Sequence, residues 1–90
     1  MTTELSPEQA KALLRQALRA TPGLPAEDYE NVQSLIDVGE TLVAFETLCT
    51  QIYEWEISLR PETIQGLEVI GSALGGDAAL TNHLWEDSTE

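Results

Sequence analysis

The stretch Gly39–Glu56, GETLVAFETLCTQIYEWE, limits what this chain can fold into more than any other. It is the stretch densest in large apolar residues, and Leu42, Phe45, Leu48, Cys49 and Ile52 recur in it at helical spacing. Glu46, Thr50, Tyr53 and Glu54 fall on the opposite side. The spacing predicts an amphipathic helix from about Glu40 to Trp55, with Trp55 extending the stripe. Such a stripe must be covered by neighbours. Tyr53 to Ile57 also alternates in the manner of a strand, but the 3.6-residue stripe runs unbroken to Ile52, which favours helix.

The neighbours are readable. Ser6-Pro7-Glu8-Gln9 combines a capping serine, a proline suited to the first helical position and a glutamine that completes a capping box. Ala10, Leu13, Leu14, Ala17 and Leu18 then form an apolar face, and Lys11, Arg15 and Arg19 a basic stripe expected to lie in solvent. Thr21-Pro22-Gly23 stops this helix. A second helix is expected from about Pro25 or Ala26 to Val38, with Tyr29, Val32, Leu35 and Ile36 inward and Glu30, Ser34 and Asp37 outward. Glu27 and Asp28 suit its positive N-terminal end. Gly39 stands where a left-handed C-cap residue would, so the second and third helices should form a tight hairpin.

Pro61 opens a fourth helix with Ile64, Leu67, Ile70 and Leu74 on its apolar face, widened by Val69 and Ala73, and Gly75-Gly76 closes it. Gly66 and Gly71 inside it cost about 1 kcal/mol each relative to alanine. Close approach of a neighbouring helix would account for them. The fold class that follows is all-α: a small four-helix bundle over residues 1–76, with residues 77–90 as a short acidic tail, disordered or lightly docked.

Ninety residues make one small domain with one modest core. The charge is lopsided. Lys11, Arg15 and Arg19 face only Glu4 and Glu8 in the first twenty residues, whereas Arg60 alone faces every remaining acid, and the whole chain carries −12. That field repels phosphate backbones and anionic lipid, so direct nucleic-acid or membrane binding is not expected, and it steers a basic protein partner inward. It also serves solubility. The N-terminus lacks a charged region followed by an apolar run, and no segment approaches about 18 apolar residues, so a cytoplasmic location is expected.

Catalytic signals are missing from the sequence. Cys49 is the only cysteine, sits within an apolar stripe, and has no histidine on a nearby element. Glu54 and Glu56 are two apart and would diverge on a helix. Gly71-Ser72-Ala73-Leu74-Gly75-Gly76 follows a helix rather than a strand and no lysine follows it, which excludes a phosphate loop. No calcium-loop pattern occurs. Neither an enzyme nor a cofactor or metal is expected. What the residues offer is an acidic and aromatic constellation: Asp37 and Glu40 around the glycine turn, then Glu46, Tyr53, Glu54, Trp55 and Glu56. Rings supply contact area and carboxylates complement a basic partner; the same rings could equally cover the small core, with the acids merely solvated.

Val32 to Gly75 resembles the MafI family of bacterial immunity proteins. The likeness is carried by Leu35-Ile36-Asp37-Val38-Gly39-Glu40, Ala44-Phe45-Glu46-Thr47-Leu48-Cys49, Gln51-Ile52-Tyr53-Glu54, Ile57 and Ile70-Gly71. It covers about half of the chain, and its motifs are built of common residues. The resemblance implies a small acidic partner that neutralises the toxin of a polymorphic toxin system, commonly a nuclease whose phosphate-holding surface is basic. The sequence leaves room for an adaptor or regulatory subunit that uses the same helices, and for a self-associating domain with Trp55 or Trp85 buried across a dimer. The free chain is expected to be a monomer or a homodimer.

Overall fold

The computed structural model describes residues 5–88, so Glu4 at one end and Thr89 and Glu90 of the tail lie outside the described residues. The chain is all-α. Four helices of similar length, α1 (Pro7–Arg19), α2 (Ala26–Asp37), α3 (Thr41–Glu54) and α4 (Pro61–Leu74), are followed by a short α5 (Ala79–Asn82) and a 3₁₀ turn (His83–Asp87). No strand occurs among the described residues.

The helix ends form where local chemistry dictates. At α1 the Gln9 amide N–H donates to Ser6 Oγ at 3.1 Å while the Ser6 N–H donates to Gln9 Oε1 at 3.0 Å, which satisfies two of the donors a helix start leaves free. The ends of α2, α3 and α4 share one device. Glu40 N–H reaches back to Leu35 O, Ile57 N–H to Ile52 O and Gly76 N–H to Gly71 O, each across a residue in the left-handed conformation. This is the Schellman arrangement, and it satisfies carbonyls that have no partner within the helix. Gly39 and Gly75 take the left-handed position at the ends of α2 and α4. At the end of α3 it falls to Glu56, with φ 50°, the only non-glycine residue with positive φ among those described.

α3 is the axle of the molecule: it touches every other element, and its Ala44, Phe45, Leu48, Cys49 and Ile52 are buried. Leu14 and Leu18 of α1, Val32 and Ile36 of α2, and Ile64, Leu67 and Ile70 of α4 close around it, joined by Leu59 from the α3–α4 linker. Leu13, Tyr29, Leu35, Ile57 and Leu74 are half-buried around this cluster. Every buried side-chain polar group among the described residues has a partner. The Thr21 hydroxyl, for example, donates to Ala17 O at 2.8 Å.

Several expectations require correction. Leu42 is not a core residue; it is 37% exposed at the start of α3. Trp55 is not in the stripe either. The helix ends one residue earlier, Trp55 caps it, and the chain turns away through Glu56, which leaves Trp55 56% exposed. The segment after Ile52 therefore continues as helix and then a cap, not as a strand. The basic stripe of α1 is only partly solvated: Lys11 and Arg15 are half-buried, and Arg15 Nη2 donates to Asp37 Oδ1 at 2.9 Å beside the C-terminal end of α2. A cation there also complements the helix dipole. The two α4 glycines differ. A Cβ on Gly71 would lie 2.5 Å from Phe45 Cζ, so the ring of α3 needs that glycine, whereas a Cβ on Gly66 would meet nothing.

Residues 79–87 are ordered as α5 and the 3₁₀ turn, and both pack on α3 and α4. Leu84 is buried in the main core, and Trp85 Nε1–H donates to Glu68 Oε2 of α4 at 2.9 Å. The segment joins the same core as the four long helices.

Candidate partner-binding surface

The surface is built on the side of α3 that its neighbours leave open. Leu42, Val43, Glu46, Thr50, Tyr53 and Glu54 are all exposed. Their spacing of three and four residues places them along one face of a helix roughly 20 Å long, at about 1.5 Å per residue. The face ends differently at its two extremities.

At the C-terminal end Tyr53, Glu54 and Glu56 meet Glu86 and Asp87 of the 3₁₀ turn around a shallow open depression of about 480 Å³. The Tyr53 ring lies 5.0 Å from the His83 ring, tilted by 43°. His83 Nδ1 lies 3.2 Å from Glu86 Oε2. The ion pairs among the described residues are Lys11–Glu8, Arg15–Asp37 and, when the ring is protonated, His83–Glu86. Glu54, Glu56 and Asp87 thus converge with no Lys or Arg of this chain paired to them. No lysine or arginine occurs between Arg19 and Arg60.

At the N-terminal end the character is apolar. Val38 at the cap of α2 is 73% exposed, and Leu42 and Val43 stand in the first turn of α3. Glu40 lies between them in sequence, and Glu46 stands one turn further along the helix.

Of the seven residues singled out in the sequence, Glu46, Tyr53, Glu54 and Glu56 share this face or its C-terminal end, and Glu40 marks its other end. Asp37 and Trp55 are engaged elsewhere. The Asp37 carboxylate is held by Arg15, and Trp55 Nε1–H donates to Asp28 Oδ2 at 3.0 Å near the start of α2. Sequence reasoning missed Glu86, Asp87 and His83, which reach the surface only because the 3₁₀ turn docks. It also missed the exposed aliphatic residues. A signal for these existed: Leu42, Val43, Ala44 and Phe45 are four consecutive apolar residues, and at 100° per residue they cannot all face one core.

The remaining chemistry is quiet. Burial pushes the Cys49 thiol up to about 12, so it stays protonated and behaves as a small apolar side chain. Among the described residues no group of three or more His, Cys, Asp or Glu side chains is placed to hold a metal ion. A cleft of about 390 Å³ between α4 and α5 is rimmed by Glu68 and Asp77. Both carboxylates already accept a hydrogen bond within the chain, from the Trp85 indole and the Ala79 amide. No described helix is long and apolar enough to cross a membrane.

No family model matches the chain, and neither a curated protein nor a solved structure matches it.

Proposed function

We propose that this chain is a bacterial immunity protein that binds and neutralises a cognate toxin, a basic nuclease domain, in the cytoplasm. One observation carries the reading. Glu46, Tyr53, Glu54 and Glu56, with Glu86 and Asp87, present carboxylates and an aromatic ring on one open surface, in a region where the chain supplies almost no cation of its own. Carboxylates that share an open surface without a lysine or arginine of their own chain attract the lysines and arginines that a phosphate-binding protein surface carries. The residues that resemble the MafI family include Glu46, Tyr53 and Glu54 of the same face.

Such an inhibitor works by speed and residence. The charge of −12 steers a basic toxin at rates above those of uncharged encounter, which matters against an enzyme that damages many substrate molecules. The aromatic and apolar contacts then slow release.

The test is capture. Tagged chain is exposed to extract of its source cells at low and high salt, and bound proteins are identified by mass spectrometry. The reading expects a basic toxin domain, retained at low salt and lost at high salt, whose nuclease activity falls when the chain is added. Glu46→Gln, Glu54→Gln and Glu56→Gln combined with Tyr53→Ala should weaken capture roughly tenfold or more while helicity is kept. Recovery of housekeeping complexes alone would remove the immunity reading.

A further inference from the structure

The start of α3 carries an apolar corner at the far end of the acidic face. Three aliphatic side chains within six residues, Val38, Leu42 and Val43, are exposed in a chain that otherwise buries its large aliphatic residues well, Val69 apart. The exposure follows from the architecture. The α2 cap bonds, Gly39 N–H to Ile36 O and Glu40 N–H to Leu35 O, fix the register of the turn. That register turns Leu35 and Ile36 inward and leaves Val38 outside. In α3, Val43 is two residues before the buried Phe45, about 200° around the helix, so burying one exposes the other.

We propose that Val38, Leu42 and Val43 form the apolar centre of a protein-docking surface, and that its occupant is a protein presenting an apolar patch ringed by lysine and arginine side chains. Charge decides the occupant. Glu40 lies between Val38 and Leu42 in the chain, Glu46 stands one helical turn beyond Leu42 and Val43 on α3, and Arg15, which reaches the end of α2, is bound to Asp37. A second copy of this chain would match the apolar centre but set Glu40 and Glu46 against their own equivalents, which is unfavourable at an interface. An anionic lipid surface is repelled for the same reason. A basic-rimmed protein satisfies both the centre and the rim. The assignment deepens the proposed function and rests on it for the partner's basic character: the acids govern arrival, and the corner governs how long the partner stays.

The probe is a set of three short synthetic peptides: an amphipathic lysine–leucine helix, a lysine–serine peptide and a glutamate–leucine helix. They are titrated into methyl-labelled full-length chain and followed by NMR. The lysine–leucine peptide should shift the Val38, Leu42 and Val43 methyls in a saturable way, the lysine–serine peptide far more weakly, and the glutamate–leucine peptide not at all. Val38→Ser, Leu42→Ser and Val43→Ser together should weaken the first interaction roughly tenfold or more. These side chains are exposed, so the thermal melt should be kept, and Leu42→Lys alone provides a second variant with the same expected direction. Unmoved corner methyls with shifts centred elsewhere would overturn the assignment, as would concentration-dependent shifts of the same methyls in the free chain together with dimer sedimentation. The two proposals fail separately. Peptide docking at the corner without toxin capture removes the immunity reading and keeps the surface. Toxin capture unaffected by the triple serine variant keeps immunity and removes the corner.

Discussion

Glu56 is the residue at which backbone and surface make opposite demands. The end of α3 needs a left-handed residue so that Ile57 N–H can reach Ile52 O at 3.0 Å and the Ile57 side chain can return to the core. At the two comparable helix ends the residue is glycine, which enters this region without a Cβ clash. For a glutamate the same conformation costs on the order of 1 kcal/mol. Glu56→Gly should therefore raise the unfolding free energy by about 1 kcal/mol in a urea titration, with an unchanged slope. Under the proposed function it also removes a carboxylate from the partner-facing surface, so one substitution should make the chain more stable and a weaker binder. An unchanged or lower urea midpoint would show that the turn holds no such strain.

At the scale of the helices, the fourth is where packing and propensity separate most clearly. Gly66 and Gly71 carry the same intrinsic penalty, but only Gly71 has the Phe45 ring against it. Gly66→Ala should stabilise by roughly 0.5–1 kcal/mol, and Gly71→Ala should destabilise by about 1–3 kcal/mol because Phe45 has to move. Thermal melts of the two variants should shift in opposite directions; shifts of the same sign would mean that the ring does not pin the helix crossing. The pair also shows what could be read from the sequence. The capping box at Ser6, the prolines at the starts of α1 and α4, and the glycine caps at Gly39 and Gly75 were legible because each acts within a few residues of itself. The core faces of α1 and α4 were legible from their period, except that Val69, expected to widen the α4 face, is 49% exposed. Whether Leu42 is covered, whether Trp55 turns inward, and which of two α4 glycines meets a ring all depend on where a distant element ends. Period and propensity carry no such information. The candidate surface divides in the same way: Glu46, Tyr53 and Glu54 follow from the pattern of α3, whereas Glu56, expected to diverge from Glu54, is brought beside it by the left-handed turn after the helix, and Glu86, Asp87 and His83 enter through tertiary docking.

For the whole molecule the question is what the last segment contributes. A four-helix reading treats everything after Gly76 as appended, yet Leu84 is 2% exposed and belongs to the same cluster as Phe45 and Leu48. The 3₁₀ turn also closes the acidic surface, since Tyr53 lies against His83 and the depression beside it is completed by Glu86 and Asp87. Leu84→Ala should cost about 2–4 kcal/mol, a large share of the roughly 5–13 kcal/mol expected for a domain of this size. Trp85→Phe, which keeps the ring and removes only the indole donor to Glu68, should cost about 1 kcal/mol or less. A chain cut after Gly76 should lose more than Leu84→Ala, because it also uncovers the sides of α3 and α4 that α5 and the turn pack on. The measurement is a urea midpoint for each form. If the truncated chain unfolded at the midpoint of the intact one, the segment would be an appendage and its acids no fixed part of the surface. A midpoint lowered in the order Trp85→Phe, Leu84→Ala, truncation would mean that one cooperative unit holds both the core and the face it presents.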